Sequence, residues 1–204
     1  RHQRHFYDLT RRYYLLGRDR LIGELDAERG TRVLEVGCGT GWNLIRAAKL
    51  FPEAEFYGMD ISHEMLATAR RAARRQGADL HLGYGDATRF NPYASFGVSR
   101  FERIYMSYTL SMIADWRATL ARGICNLARG GSLHIVDFGE QERLPRWFRS
   151  ALRAWLAKFH VIPRGELERV LRALAANLGA DLQFRSLYRG YATYAILRVP
   201  LQGR

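Results

Sequence analysis

A doubly wound α/β sheet is the fold the sequence predicts, and three observations predict it. Residues 32–43 read as a short apolar strand, a glycine turn and the start of a helix. Further strand-like runs then alternate with segments of helical spacing, the pattern of a mostly parallel sheet with helices on both faces. The chain closes with two strand-like runs joined at Arg189-Gly190, which predicts an antiparallel hairpin. At 204 residues, one domain over 1–204 is expected, with a core large enough to stand alone.

The elements follow in order. Phe6, Leu9, Tyr13, Leu16 and Leu21 recur at helical spacing, so residues 3–25 predict one or two helices divided at Gly17. Val33, Leu34 and Val36 form the first strand, Gly37, Gly39 and Gly41 the turn, and residues 42–50 a helix. Phe56 to Met59 is the second strand, ending at Asp60. Ser62 caps the next helix, which runs to about Gly77; its Arg70, Arg71, Arg74 and Arg75 read as a solvated face. Leu80 to Tyr84 is the third strand, and Gly85-Asp86-Ala87 follows it. Residues 88–100 read as a loop, Phe101 to Ser107 as the fourth strand, and Trp116 to Leu127 as a helix stopped by Arg129-Gly130-Gly131. Leu133 to Val136 is the fifth strand, ending in Asp137. Helices are expected over 143–160 and 165–178, then strands over 182–188 and 191–199.

Composition narrows the classes. Hydrophobic content of 48% fits a globular protein, and no apolar run approaches the ~18 residues of a membrane span. No signal peptide is visible; the chain begins at Arg1, so a few native residues are expected before it. Cys38 and Cys125 show neither metal-ligand spacing nor a disulfide framework, so no metal is expected and the location reads as cytoplasmic. Net charge is +12, almost wholly from arginine. Such a surface suits a polyanionic partner, either nucleic acid or an anionic membrane, or reflects a GC-rich genome.

The turn carries the chemistry. Ligands of open α/β sheets sit beyond the carboxyl ends of the strands, where this turn falls. The spacing is G-x-G-x-G, not the G-x-G-x-x-G of dinucleotide folds. Glu35, two residues before the first glycine, would repel a pyrophosphate and suit a ligand carrying an ammonium group. Asp60, 19 residues after Gly41, has the offset of a ribose-binding carboxylate. Read without these acids, the glycines are only a tight turn.

This pattern resembles the Rossmann-like methyltransferases that use S-adenosylmethionine (SAM) and release S-adenosylhomocysteine (SAH). The resemblance implies a seven-stranded sheet with an antiparallel last strand. It places Glu35 at the methionine end, Asp60 on the ribose and Asp86 at the adenine amino group. Gly37, Cys38, Gly39, Gly41, Ile61, Met65, Ala87 and Ser107 complete the expected cofactor wall. Residues 7–21 resemble the leader of quinone-type methyltransferases, a lid over the cofactor, which adds Tyr7, Tyr14 and Arg18. The same tyrosines also read as ordinary helix packing.

Methyl transfer needs an aligned nucleophile and a dry site. No residue reads as a general base; Tyr14, Tyr108 and Asp137 are the catalytic candidates, Asp137 as the best placed acid. Nucleic-acid amino-methyltransferases carry Asp/Asn-Pro-Pro-Tyr/Phe after the fourth strand, where this chain reads Ser107-Tyr108-Thr109-Leu110, so nucleic acid is disfavoured. The 143–160 helix pairs an apolar stripe, Leu144 to Phe159, with Arg146, Arg149, Arg153 and Lys158, so 140–165 reads as a membrane-facing insertion or as a lid packed on its own sheet.

Four segments, residues 1–11, 13–22, 134–139 and 187–192, resemble the bacterial diacylglycerylhomoserine N-methyltransferases. That resemblance implies three successive methylations of a lipid amine at an anionic membrane surface, on the cytoplasmic side of the inner membrane. The enzyme that makes diacylglycerylhomoserine would be a partner. Tyr108, Tyr188 and Tyr191 would face the cationic head group, and Arg189 with Arg18 its carboxylate. A quinone-type C-methyltransferase, another lipid or small-molecule methyltransferase, an RNA methyltransferase and a non-catalytic SAM-binding protein are the alternatives.

Overall fold

A computed structural model of the protein describes residues 15–201. Tyr7, Tyr14 and most of the expected leader lie outside the described residues. The elements are α1 (Arg18–Gly23), β1 (Arg32–Val36), α2 (Trp42–Leu50), β2 (Glu55–Asp60), α3 (His63–Gln76) and β3 (His81–Tyr84). Then come α4 (Pro92–Phe96), β4 (Phe101–Ser107), a 3₁₀ turn (Leu110–Met112), α5 (Trp116–Cys125) and β5 (Leu127–Phe138). α6 (Arg146–Ala157), α7 (Leu167–Leu178), β6 (Asp181–Leu187) and β7 (Ala192–Arg198) complete the chain.

The seven strands form one sheet in the order β3-β2-β1-β4-β5-β7-β6. β1 to β5 pair in parallel, and β7 runs antiparallel between β5 and β6. Successive residues of the central strands face opposite sides of the sheet. Val33, Tyr105 and Val136 therefore pack with Leu21 of α1, Leu44 of α2 and Leu156 of α6. Leu34, Ile104 and Ile135 pack on the other side with Leu120 of α5 and Leu171 of α7. β1 is buried at every position after Arg32 because both its faces are covered.

Local chemistry sets the ends. Ser62 Oγ accepts from Met65 N at 3.3 Å and starts α3, as the sequence predicts. The expected 88–100 loop holds α4 instead, started by Asn91, whose Oδ1 accepts from Tyr93 N at 3.1 Å, with Pro92 in the first turn. β5 begins six residues before Leu133, so Arg129-Gly130-Gly131 lies inside a strand rather than ending a helix. The pairing with β4 shifts there, from Phe101↔Leu127 to Arg103↔Ser132, and Gly130 at φ 71° takes up the excess. Pro145 sets the start of α6 three residues later than the apolar stripe implies.

Gly58, at the middle of β2, shows how closely these layers meet. A Cβ there would stand 2.7 Å from Leu44 Cδ2, 2.9 Å from Leu82 Cδ2 and 3.1 Å from Cys38 Cβ. Gly58→Val is expected to destabilise the fold by about 1–3 kcal/mol or more through overpacking. Urea unfolding measures it, with the exposed Leu201→Ala as a control that stays near the parent.

Candidate active site

The strand order reverses between β1 and β4, so a crevice opens at their carboxyl ends. The glycine turn crosses it. Gly37 N and Cys38 N both donate to Met59 O at 2.9 Å, and Gly39 N donates to Asp60 Oδ2 at 2.8 Å. Gly37 is held at φ 74°, and a Cβ there would lie 2.7 Å from Thr109 Cγ2. Gly41, at φ 78°, sits 3.0 Å from Ala69 Cβ in the same sense, which lets α2 start against α3.

A cavity of about 690 Å³ lies over the turn, within the usual size of a small-molecule site. Of the expected cofactor residues, Gly37, Cys38 and Gly39 line it from the turn, and Asp60, Ile61 and Met65 from beyond β2. Asp86 and Ala87 line it after β3, Ser107 at the end of β4, and Arg18 from α1. Gly41 and Glu35 are not in its wall.

The two lining acids differ in their bonds. Asp60 Oδ1 accepts from Ser62 N at 2.8 Å while Oδ2 takes Gly39 N, so each oxygen keeps a further lone pair. Asp86 Oδ1 accepts from Thr88 N at 3.0 Å and Thr88 Oγ1 at 2.8 Å. Those two bonds, with Arg89 beside them, hold its carboxyl below the usual range.

Glu35 stands one layer behind the wall. Its carboxylate accepts from Asn43 Nδ2 at 2.7 Å and Tyr105 OH at 3.0 Å. Complete burial pushes its pKa up to about 8, against the lowering by those two bonds and by Arg18. Asn43, which does line the cavity, is thus the residue through which Glu35 meets it. Among the described residues, Asn43 Oδ1 and Ser107 Oγ are buried without a hydrogen-bond partner. Both are in the wall, and both could accept from an ammonium group. With the spare lone pairs of Asp60, they give a donor-bearing ligand such as SAM the acceptors it needs.

Of the expected catalytic residues, Tyr14 lies outside the described residues, Tyr108 lines the cavity and Asp137 stands behind it. Asp137 is fully buried and not in the wall; it accepts from Ser111 N at 3.0 Å and Phe138 N at 2.7 Å. Burial raises its pKa. Arg164 donates to Leu110 O at 3.0 Å and Ile113 O at 2.7 Å. Asp137 and Arg164 together fix the 3₁₀ turn, which brings Met112 and Ile113 to the cavity. Tyr108 lines the cavity at φ 55°, its ring edge-on to Phe138 at 4.7 Å. Its hydroxyl donates to Leu16 O at 2.6 Å, tying the chain before α1 over the site, and burial raises its pKa well above that of a free phenol.

Tyr191 is buried behind Phe138 at 5.9 Å. Tyr188 and Arg189 are exposed in the β6–β7 turn, where residues 188, 189 and 190 are all left-handed. None of the three lines the cavity, though Tyr188 Cε2 comes within 3.8 Å of where a Gly17 Cβ would stand. Sequence reasoning passed over Asn43, Trp42 and Met112. Arg18 stacks on the Trp42 ring at 4.4 Å. Asn43, at the start of the helix after the turn, was the readable signal, since that position faces back toward Glu35.

Residues 33–131 match the sequence model of a family described as "Methyltransferase domain". The demethylmenaquinone methyltransferase of Listeria welshimeri is 31% identical over 124 residues, covering 59% of this chain and 50% of that protein. Its namesake from Deinococcus radiodurans is 31% identical over 137 residues, covering 65% and 55%. The chain thus spans about half the length of the curated relatives it matches. Among solved structures, the plantazolicin methyltransferase BpumL, in complex with a desmethyl analogue and SAH, superposes with a TM-score of 0.71 at 13% identity, covering 95% of this chain and 88% of that one. The sheet order and the turn give this chain the Rossmann-like architecture of those structures, and residues 33–131 carry the match to a methyltransferase domain.

Two outcomes are expected. Asp60→Asn removes the carboxylate charge, and calorimetric titration should show SAH affinity at least tenfold weaker, since a hydrogen bond to a charged group contributes about 1.5–3 kcal/mol. Glu35 has a folded pKa above its unfolded value, so its favourable contribution is complete below about pH 4.5 and is lost as pH rises to about 8. Glu35→Gln should therefore flatten the pH dependence of urea stability across that window, by on the order of 5 kcal/mol at most. Parallel curves for the variant and the parent would show that Glu35 stays ionised in the fold.

Proposed function

We propose that the protein transfers a methyl group from SAM to a lipid-soluble acceptor, a quinol ring of the kind methylated by demethylmenaquinone methyltransferases. The observation that carries this reading is the curated relatives, both named for that reaction. The acceptor end of the cavity supports it. Tyr108, Met112 and Ile113 form an aromatic and apolar wall there, and the acids among the described lining residues, Asp60 and Asp86, come from the far side of the β1–β4 crevice.

SAM supplies a methyl group on a positively charged sulfur, and that charge disappears as the methyl group leaves. A low-polarity wall therefore favours the transfer more than water does, especially onto an anionic ring. Tyr108 keeps water out by holding Leu16 over the site. Arg18, buried against Trp42, is the one Arg or Lys among the described lining residues and would be the cation available to a ring phenolate. The acids of the described wall, Asp60 and Asp86, stand on the far side of the crevice from Tyr108, so the ring hydroxyl would lose its proton to solvent water before binding, and the ring C–H proton would follow to solvent after methyl transfer.

A second reading is the amine of diacylglycerylhomoserine. One arrangement favours it: Tyr108, Phe138 and Tyr191 form a ring cluster beside Gly17 and Tyr188, and such faces attract an ammonium whether or not it carries protons. The curated relatives support the quinol better. The purified protein with SAM should methylate a short-chain demethylmenaquinol analogue once, read by mass spectrometry, and leave diacylglycerylhomoserine unchanged. Mono-, di- and trimethylated lipid with no quinone product would reverse the order of the two readings. Turnover of neither would remove both.

A further inference from the structure

We propose that the outer side of α6 and the connector to α7 is a docking surface for an anionic lipid bilayer, placed beside the cavity mouth. It deepens the lipid-soluble acceptor reading by naming where that acceptor would enter.

The apolar stripe of α6 is wider than the core it covers. Leu152, Trp155 and Leu156 pack on the sheet. Trp147 is 74% exposed and Phe148 38%, their rings edge-to-face at 5.7 Å. Residues 143–165 carry six basic side chains (Arg143, Arg146, Arg149, Arg153, Lys158 and Arg164) and no acid. Arg153 and Arg164 are used inside the fold, on Glu140 O and Gln141 and on the 3₁₀ turn. Among the described residues, the other four meet no carboxylate within ion-pair distance. Exposed tryptophan and phenylalanine ringed by unopposed cations match the interface of an anionic bilayer. A second copy of this chain is a poor occupant, because the two faces would bring like charges together. No helix among the described residues is long and apolar enough to cross a membrane, so the surface would lie on the bilayer.

The position ties this surface to the site. Ile162, 58% exposed, donates its N–H to Ser111 O at 2.9 Å. Arg164 holds the carbonyls on either side of the same turn. Met112, between them, is 50% exposed and also lines the cavity. Exposed Ile162 and Met112 therefore flank one turn, and Met112 reaches the cavity wall, a placement suited to the tail of an acceptor whose head group reaches Tyr108.

Co-sedimentation with phosphatidylcholine vesicles, with and without phosphatidylglycerol, tests this. The parent should bind only the anionic vesicles, and less as salt rises. Trp147→Ser with Phe148→Ser should lower that partition at least tenfold. Arg146→Glu should lower it about fivefold or more. SAH affinity and far-ultraviolet circular dichroism should stay at parent values in both, which excludes misfolding. Equal vesicle binding by parent and variants would overturn the proposal. So would a parent that binds no vesicles but binds an RNA oligonucleotide, or variants that change only the oligomeric state in light scattering. If vesicles bind through α6 but no quinol or lipid amine is methylated, only the acceptor reading fails. If a water-soluble quinol is methylated while the variants bind vesicles like the parent, only the docking surface fails.

Discussion

The carbonyl oxygen of Met59 and the carboxylate of Asp60 hold the site together. The first accepts Gly37 N and Cys38 N; the second accepts Gly39 N and Ser62 N. These four bonds weld the end of β2 to the turn after β1 and to the cap of α3. A backbone held at φ 74° and 78° needs such support, because few alternative partners exist for its N–H groups. The same four bonds leave the outer lone pairs of Asp60 in the cavity wall. One carboxylate therefore both holds the turn and lines the cavity. A change at Asp60 acts on the shape of the turn and on the ligand together.

The buried acids divide the labour differently. Glu35 and Asp137 both sit at strand ends near the crevice, yet neither is in the wall. Each spends its oxygens on fixing a neighbour: Glu35 orients Asn43, and Asp137 anchors the 3₁₀ turn at Ser111. Burial raises the pKa of both. A raised carboxyl next to a site invites a catalytic assignment. Here the geometry argues for positioning, since the wall residues they hold are the ones that reach the cavity. A cationic ligand near Asn43 would favour the charged form of Glu35, so ligand binding and proton release are coupled at this position.

Much of this was legible in the residues. The strand–turn–helix at 32–50 could be read because glycine spacing and an apolar run are local signals. Asp60 could be read because its offset follows from one βαβ unit. The short α4 and the early start of β5 could not, because they depend on a pairing shift opposite Phe101 and Arg103 that no local pattern encodes. Arg189 and Tyr188 show what residue type alone leaves open. Their types suit a head group, but a run of left-handed residues turns them outward at the β6–β7 turn, away from the cavity wall. The roles expected for Tyr7 and Tyr14 fall on residues outside those described.

The membrane-facing and lid readings of the 143–160 segment looked like alternatives because helical periodicity does not say how wide the underlying core is. The structure shows the inner packing and leaves Trp147 and Phe148 on the outer side exposed. Leu152 and Leu156 reach the sheet, while Trp147 lies too far round the helix to find it. A lid that were only a lid would place polar groups at those outer positions, since exposed aromatic side chains bring no packing energy. A membrane helix with no inner contacts would not position Ile162 against Ser111. Ile162 lies in the connector after α6, and its bond to Ser111 O links the end of that helix to the turn that carries Met112 to the cavity. Under the docking proposal, an acceptor with a long apolar tail would gain from that link, since its head group could reach Tyr108 while its tail stayed out of water.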